Sequence, residues 1–296
     1  QIFLVCDNAE LIVNGGTETT EHKGTISPEG LWINDENGTY SIYGGLISGG
    51  SNNNGGGGIH IQENAKVTLN KVTVAGNRSL DDEGAGGIRL QDDNSELLLN
   101  NSRICYNLAD AGDGGGIYVN GDAAVVSITN NSSVDNNATT DSESDGGGIY
   151  IYDGSVVVDG TSQISYNKST QRGGGIFLYD GSLTLEDGSI LTGNVTKREG
   201  GALYIDDWYD NTAIISADFI GNRAEEEEGG AIYVDTDDCF SLAGKCEIYD
   251  NMPNNLYLTD EENEYADFHN WFTWNVSTGV EWYITQNFPL RLGFFT

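Results

Sequence analysis

Apolar and polar residues alternate along this chain in short runs that glycine, asparagine and aspartate interrupt. In one stretch Ile149-Tyr150-Ile151 alternates, Asp153-Gly154 marks a turn, and Val156-Val157-Val158 alternates again. Alternation of period two over three or four residues predicts short β-strands, each with one apolar face. No segment of the repeated region keeps a helical period with capping residues, so the pattern predicts an all-β fold.

The same pattern returns about every 29 residues, and two markers follow it. A Gly-Gly or Gly-Ala pair precedes an apolar residue at spacings of 27 to 32 residues, at Ile59, Ile88, Ile117, Ile149, Ile176, Leu203 and Ile232. The phrase apolar-x-x-Asn recurs at spacings of 27 to 30 residues and ends at Asn77, Asn107, Asn137, Asn167, Asn194, Asn222 and Asn251. Two markers that keep one period over seven copies indicate an internal repeat.

Three short strands per copy are typical of one coil of a parallel β-helix, in which each coil stacks on the previous one. Strands of successive coils then pair about 4.8 Å apart, and equivalent inward side chains form apolar stacks. The apolar residues of the glycine phrase form one predicted stack, and Val158 and Leu185 belong to another. A β-propeller is the alternative, but its blades need four strands over about 40 residues or more.

The asparagines of the second phrase are predicted to form a ladder at one corner, where each amide bonds the turns above and below. The paired glycines are predicted to allow positive φ or a close bend before the next strand. Length varies between copies almost wholly between the asparagine and the next glycine pair. This variation places variable loops along one edge of the rod.

The ends of the chain depart from the repeat. We predict an N-terminal cap with the first strands over residues 1–45, parallel β-helix repeats over 46–251, and an aromatic-rich C-terminal cap or hairpin over 252–296. Caps are expected because an open coil end exposes unpaired strand edges. The alternative for the last segment is an outer-membrane-barrel hairpin with aromatic girdles, which requires a chain that continues beyond Thr296.

The composition narrows the possible partners. The chain carries 46 acidic and 13 basic residues, a formal net charge of −33, which would repel nucleic acid and anionic lipid headgroups. The chain contains no run of about 18 apolar residues, so the sequence predicts no direct membrane span. The chain begins at Gln1 and its single methionine is Met252, which favours a mature secreted chain or an excised fragment. Cys239 and Cys246 are predicted either to form a local disulfide or to remain free thiols.

The residue between the two inward positions of the glycine-led strand faces outward, and it is aromatic in five successive copies. These residues are Tyr118, Tyr150, Phe177, Tyr204 and Tyr233. Exposed rings stacked about 4.8 Å apart would suit sugar rings or partner chains, so they are the candidate ligand-binding strip. The alternative is structural, because aromatics on a strand surface also pack on their cross-strand neighbours.

Acidic residues gather in the variable edge loops and in a second row just after the glycine-led strand. Clustered carboxylates could bind Ca²⁺, and the weak candidates are Asp206, Asp207, Asp235 and Asp237. No EF-hand loop or RTX nonapeptide accompanies them, and Asp-Gly is ordinary turn chemistry. Solvated acidic edges that keep the rod soluble are therefore the favoured interpretation, and no cofactor is predicted.

No catalytic motif accompanies the repeat. Glycosidases use a pair of carboxylates. Acidic residues are so abundant here that many such pairs can be found, so their presence does not indicate an active site. His22, His60 and His269 lie in different copies or caps and do not suggest a triad, and no serine or cysteine lies in a nucleophile motif. The sequence therefore predicts a protein that is not an enzyme, with a β-helix polysaccharide lyase or glycoside hydrolase as the alternative.

The repeat also resembles a known family. Phe219-Ile220-Gly221-Asn222 followed by Gly229-Gly230-Ala231-Ile232 is similar to the FxxN and GGAI repeat pair of chlamydial polymorphic outer-membrane proteins. The resemblance covers roughly residues 45–251, although most copies read Gly-Gly-Gly-Ile and only Phe219 supplies the phenylalanine. It implies a passenger with a right-handed parallel β-helix that acts in adhesion.

Together these observations predict a secreted or cell-surface, adhesin-like β-helix protein that binds glycans or proteins, with a location associated with an outer membrane as an alternative. A carbohydrate-active enzyme is the second hypothesis. A structural spacer or filament subunit, with self-association through the coil ends, is the third.

Overall fold

The computed structural model describes residues 3–4, 10–14, 25–27, 30–33, 36–53, 55–206, 211–235, 240–243 and 246–259. These residues form an all-β solenoid whose repeated coils stack by parallel strand pairing, as the sequence predicts. Among them we find no apolar helix of membrane-spanning length.

The chain passes through four sheets in each full coil, numbered here in the order of passage from the glycine phrase. The ten strands of sheet 1 are Thr25–Ser27, Gly30–Ile33, Ile59–Ile61, Ile88–Gln91, Ile117–Asn120, Ile149–Ile151, Ile176–Leu178, Leu203–Ile205, Ile232–Val234 and Leu256–Leu258. The nine of sheet 2 are Glu10–Asn14, Thr39–Tyr43, Lys66–Asn70, Glu96–Asn100, Val125–Thr129, Ser155–Val158, Ser182–Leu185, Thr212–Ile215 and Phe240–Leu242.

Sheets 3 and 4 complete the coil. The nine strands of sheet 3 are Phe3–Leu4, Leu46–Ser48, Thr73–Ala75, Arg103–Cys105, Ser133–Asp135, Gln163–Ser165, Ile190–Thr192, Asp218–Ile220 and Ile248–Tyr249. The seven of sheet 4 are Ser51–Asn52, Arg78–Ser79, Leu108–Ala109, Ala138–Thr139, Lys168–Ser169, Val195–Thr196 and Arg223–Ala224. Sheet 4 is a difference from the predicted three strands per copy, since two residues are too few to show an alternating pattern.

The predicted register between copies is confirmed. Ile117 pairs with Ile149, which pairs with Ile176, and all three are fully buried. Val158 and Leu185 pair in sheet 2 and are fully buried as well. The inward positions of sheets 1 to 3 thus fill one continuous apolar core along the rod. Burial of these side chains stabilises the fold by roughly 25 cal/mol for each Å² of apolar surface removed from water.

The parallel coils extend beyond the predicted limits of 46–251. Gly30–Ile33 already pairs in parallel with Ile59–Ile61, and Leu256–Leu258 pairs in parallel with Ile232–Val234. Less regular sequence therefore also forms coil strands outside these limits, and the predicted division into caps and repeats stays a prediction. The strands before residue 30 pair antiparallel with the first coil. The aromatic C-terminal segment, from residue 260 onward, lies outside the described residues.

The asparagine ladder is present at the corner between sheets 3 and 4. In a typical step, the backbone N and Nδ2 of Asn107 both donate to Oδ1 of Asn137, at 3.0 Å each. Nδ2 of Asn107 also donates to the Val74 carbonyl oxygen of the preceding coil, at 3.0 Å. The ladder asparagines are buried. Each amide therefore joins three successive coils and leaves few unpaired polar groups at the corner.

The glycine phrase is required by two different constraints. Gly146, the first glycine of its triplet, has a φ of 63°, which side chains with a Cβ rarely adopt. Gly147 has no such φ, but a Cβ placed on it would lie 2.4 Å from the carbonyl carbon of Lys168 in the next coil. The phrase thus turns the chain and brings neighbouring coils into close backbone contact.

We expect Asn137→Ala to destabilise the rod by at least about 2 kcal/mol, because it removes the buried acceptor of the Asn107 backbone N and Nδ2. It also removes the donor to the Ile104 carbonyl and to Oδ1 of Asn167. Urea unfolding followed by far-ultraviolet circular dichroism measures this loss. Asn53→Ala, at an exposed position, is the matched control and should stay near the parent. Equal stability of both variants would contradict a structural ladder.

Candidate functional site

The outward side chains of sheet 1 form a column along the rod. From the N-terminal side it consists of Trp32, His60, Arg89, Tyr118, Tyr150, Phe177, Tyr204, Tyr233 and Tyr257. From Tyr118 to Tyr257 the rings stack nearly parallel, with neighbouring centroids 4.9–5.2 Å apart. Strand pairing imposes this spacing, which also suits stacked aromatic rings.

The prediction that this strip is exposed is wrong. Tyr118, Tyr150 and Tyr204 are 4, 7 and 4% exposed, Phe177 is fully buried, and Tyr233 is half-buried. The rings point away from the solenoid core, as alternation predicts, but they form a second apolar cluster with loop residues. Residues of the edge loops lie against the column: Ala85 packs in the same cluster, and Arg172 lies over two of the rings.

Arg172, in the loop before Ile176–Leu178, covers the middle of the column. Its guanidinium carbon lies 4.9 Å from the ring centroid of Phe177 and 5.0 Å from that of Tyr204. Its Nη2 lies 2.9 Å from Oδ2 of buried Asp145, in the adjacent loop. Cation–π contacts and a buried ion pair therefore hold two loops onto the aromatic column.

A second arginine anchors the loops closer to the N-terminus. Arg89 occupies a position in the column itself, its side chain is 5% exposed, and it lies 5.6 Å from the Tyr118 ring centroid. Its guanidinium reaches Asp81 at 3.5 Å and Glu83 at 3.2 Å, both in the preceding edge loop. Part of the acidic edge thus has a structural role in covering the column.

Several loop carboxyl groups are shielded from water. The backbone N of Asp145 donates to Oδ1 of Asp113 at 2.7 Å. Burial raises the pKa of Asp113 to about 7, and burial also raises the pKa of Asp145, against the opposing effect of Arg172. Farther along, burial and the neighbouring Glu227 raise the pKa of Glu199 to about 7. The loop cover therefore contains carboxyl groups that take up protons near neutral pH.

The calcium candidates are only partly described. Asp206 is 2% exposed, and its Oδ2 lies 3.7 Å from Nη1 of Arg172, whereas Asp235 accepts a hydrogen bond from the Tyr204 hydroxyl. Asp207 and Asp237 lie outside the described residues. Within the described ranges, no three potential metal ligands converge. The two described carboxylates contact side chains of the column, and calcium binding stays a prediction.

Sequence reasoning missed the most exposed aromatic side chains. Tyr106 and Tyr166 are 60 and 61% exposed, at the corner just before a ladder asparagine. Tyr152, after the column strand, is 41% exposed and stacks on Tyr179 with centroids 5.2 Å apart. The signal for the corner tyrosines was available, since other copies carry glycine, asparagine or aspartate where these two carry a large ring.

Comparison with known proteins agrees with this architecture. The family model described as a right handed beta helix region matches residues 7–185, more than half of the chain. The chain belongs to the right-handed β-helix family. Neither the curated proteins nor the solved structures include a significant match. The right-handed β-helix fold predicted from the sequence is thus confirmed, and the family includes both adhesins and polysaccharide-degrading enzymes.

We expect Phe177→Ala to destabilise the protein by about 3–5 kcal/mol, because it opens a cavity within a stacked, fully buried column. Urea unfolding measures the change in the free energy of unfolding. Tyr152→Ala, at an exposed ring, is the control and should cost less than about 1 kcal/mol. A Phe177→Ala variant as stable as the control would contradict the packing of the column.

We also expect Asp113→Asn to stabilise the protein at pH 8 by on the order of 1 kcal/mol, since one pKa unit corresponds to about 1.4 kcal/mol and water reaches part of this side chain. Burial raises the folded-state pKa of Asp113 from its ordinary value of 3.8 to about 7. The folded state therefore binds the extra proton between these values, and stability falls as pH rises through them.

The stabilisation by Asp113→Asn should fade as pH falls towards about 4, where the native carboxyl group is protonated in the folded state. Thermal unfolding at several pH values measures this dependence. Asp122→Asn removes the same charge from an exposed turn and is the matched control. An equal effect of both variants at every pH would assign the change to net charge rather than to burial.

Proposed function

We propose that this chain is the β-helical part of a secreted or cell-surface, adhesin-like protein that binds glycans or partner proteins without catalysing a reaction. The observation that carries the proposal is a set of tyrosines that remain exposed although the main aromatic column is buried. They are Tyr43, Tyr106, Tyr152, Tyr166 and Tyr249. Exposed tyrosine provides apolar area with a polar tip, which suits sugar rings and protein surfaces.

The buried charged groups support a structural interpretation of the loop cover. Arg172 lies against Asp145, Phe177 and Tyr204, so its charge is directed into the protein. Burial and nearby Arg89 lower the pKa of His60 to about 4, which leaves this imidazole neutral at pH 7. His60 is 1% exposed and its Nε2 lies 3.2 Å from Oε1 of Gln91. Arg172 and His60 thus each contact neighbouring side chains of the protein, which supports a structural role for both.

The net charge favours some ligands over others. A chain with a formal charge of −33 repels polyanions such as uronate polymers, which are the usual substrates of polysaccharide lyases. Neutral or cationic ligands do not meet this barrier. The charge therefore favours binding of uncharged glycans or of proteins over lyase chemistry. We include two further statements in this proposal. The chain is similar in function to the chlamydial passengers, and it is located at the cell surface.

We expect the purified protein to be retained on immobilised neutral glycans or proteins and to leave soluble polysaccharides intact. A glycan and protein array measures retention, and assays of reducing ends and of unsaturated uronates measure cleavage of neutral and acidic polysaccharides. The heat-unfolded protein is the control for both readouts. New reducing ends or unsaturated products in proportion to folded protein would overturn the proposal in favour of an enzyme.

A further inference from the structure

The corner before each ladder asparagine has the same backbone conformation in seven coils. Its residue has a φ between 54 and 67° and is Gly76, Tyr106, Asn136, Tyr166, Gly193, Gly221 or Asp250. Glycine, asparagine and aspartate tolerate this left-handed region, whereas a bulky side chain there is strained. Five coils use the tolerant residues, and two use tyrosine at φ values of 55 and 54°.

Burial does not offset the strain at these two positions. Tyr106 and Tyr166 are 60 and 61% exposed, more than the other exposed tyrosines. The Tyr166 ring lies over Gly193, where an added Cβ would come within 2.5 Å of its Cε1. The ring is thus held in place by the next coil but remains open to water. A strained conformation that is kept while most of each ring stays in water points to a functional role at the surface.

The surface between the two tyrosines is polar, and its charged side chains pair with one another. Nε of Arg103 donates to Oδ2 of Asp135 at 2.7 Å, and the same guanidinium lies 5.6 Å from the Tyr106 ring centroid. Nδ2 of Asn136 donates to Oδ1 of Asp135 at 2.8 Å. The ion pair cancels the buried carboxylate charge, while the Arg103 side chain remains 47% exposed. Donor groups therefore lie between two exposed aromatic rings.

Basic residues make this side of the rod less negative than the edge loops. Arg78, Lys168 and Arg223 lie exposed on the neighbouring sheet 4. Arg78 pairs with Asp110, and Arg223 pairs with Glu225. These ion pairs neutralise carboxylates on this side of the rod, which suits an uncharged ligand because it would displace water from fewer unpaired charges.

The two tyrosines lie two coils apart, roughly 10 Å along the rod at about 4.8 Å per coil. In an extended chain of β-1,4-linked sugars successive rings are flipped, so alternate sugars present the same face. We propose that Tyr106 and Tyr166 bind alternate sugars of an uncharged, extended β-linked glycan that runs along the rod over Asn136. This inference rests on the proposed binding function and assigns it a site and a ligand class.

The test uses the double variant Tyr106→Asn with Tyr166→Asn, because asparagine is the residue that this corner carries at position 136. Cellohexaose, mannohexaose and chitohexaose are the probes, and isothermal titration calorimetry measures their affinity. We expect the parent to bind at least one probe and the double variant to bind it at least tenfold more weakly. Its melting temperature should equal or exceed that of the parent, because asparagine relieves the backbone strain. Leu98→Ala, an exposed change on sheet 2, should keep the parent affinity.

Other outcomes would show whether the tyrosine site or the proposed binding function is wrong. Probe binding that survives the double variant but is lost in Tyr152→Ala would overturn this site and leave the binding function standing. A double variant that melts well below the parent would give the tyrosines a structural role and overturn the inference. A parent that binds none of the three probes would overturn the ligand class, and retention on immobilised proteins alone would then assign the rod a protein partner.

Discussion

Parallel pairing between coils imposes one axial spacing, and the other features of the rod repeat at that spacing. The asparagine ladder enforces it at one corner, since each buried amide bonds the coil before and the coil after its own. A coil that shifted along the axis would leave several buried donors and acceptors unpaired, at about 1–3 kcal/mol each. The ladder and the backbone pairing thus define the same register, and the apolar stacks follow from it.

A fixed spacing restricts which side chains can occupy equivalent positions. Aromatic rings stack well at about 5 Å, whereas like charges at that distance repel. The column accordingly holds a run of rings from Tyr118 onward, and its one arginine lies between the Tyr118 ring and a neutral imidazole. Arg172 enters from a loop instead, where it can meet Asp145. Much of the acidic charge is thereby carried in loops and turns, where water can solvate it.

The repeat made the fold predictable from sequence, because two markers with one period determine which residues of successive coils are neighbours. The same reasoning failed for the exposure of Tyr150 and Phe177. Alternation reports the side of a strand on which a ring lies, but not whether a loop covers that side. The cover depends on contacts such as Arg172 with Asp145, which are 27 residues apart and have no local signature. The two-residue strands of sheet 4 were missed because they are too short to alternate.

A repeat also allows each position to be compared with its own copies under nearly identical surroundings. Where Arg89 departs from the aromatic column, the difference is explained within the chain by its contacts with Asp81 and Glu83. The corner tyrosines contact their own protein at the surface: the Arg103 guanidinium carbon lies 5.6 Å from the Tyr106 ring centroid, and the Tyr166 ring lies over Gly193. Each adopts a conformation that costs roughly 1–2 kcal/mol for a residue with a side chain, while most of the ring stays in water. Since the same corner folds with glycine, asparagine or aspartate in other coils, the fold does not require tyrosine there, and the proposed glycan contacts would compensate for the strain at Tyr106 and Tyr166.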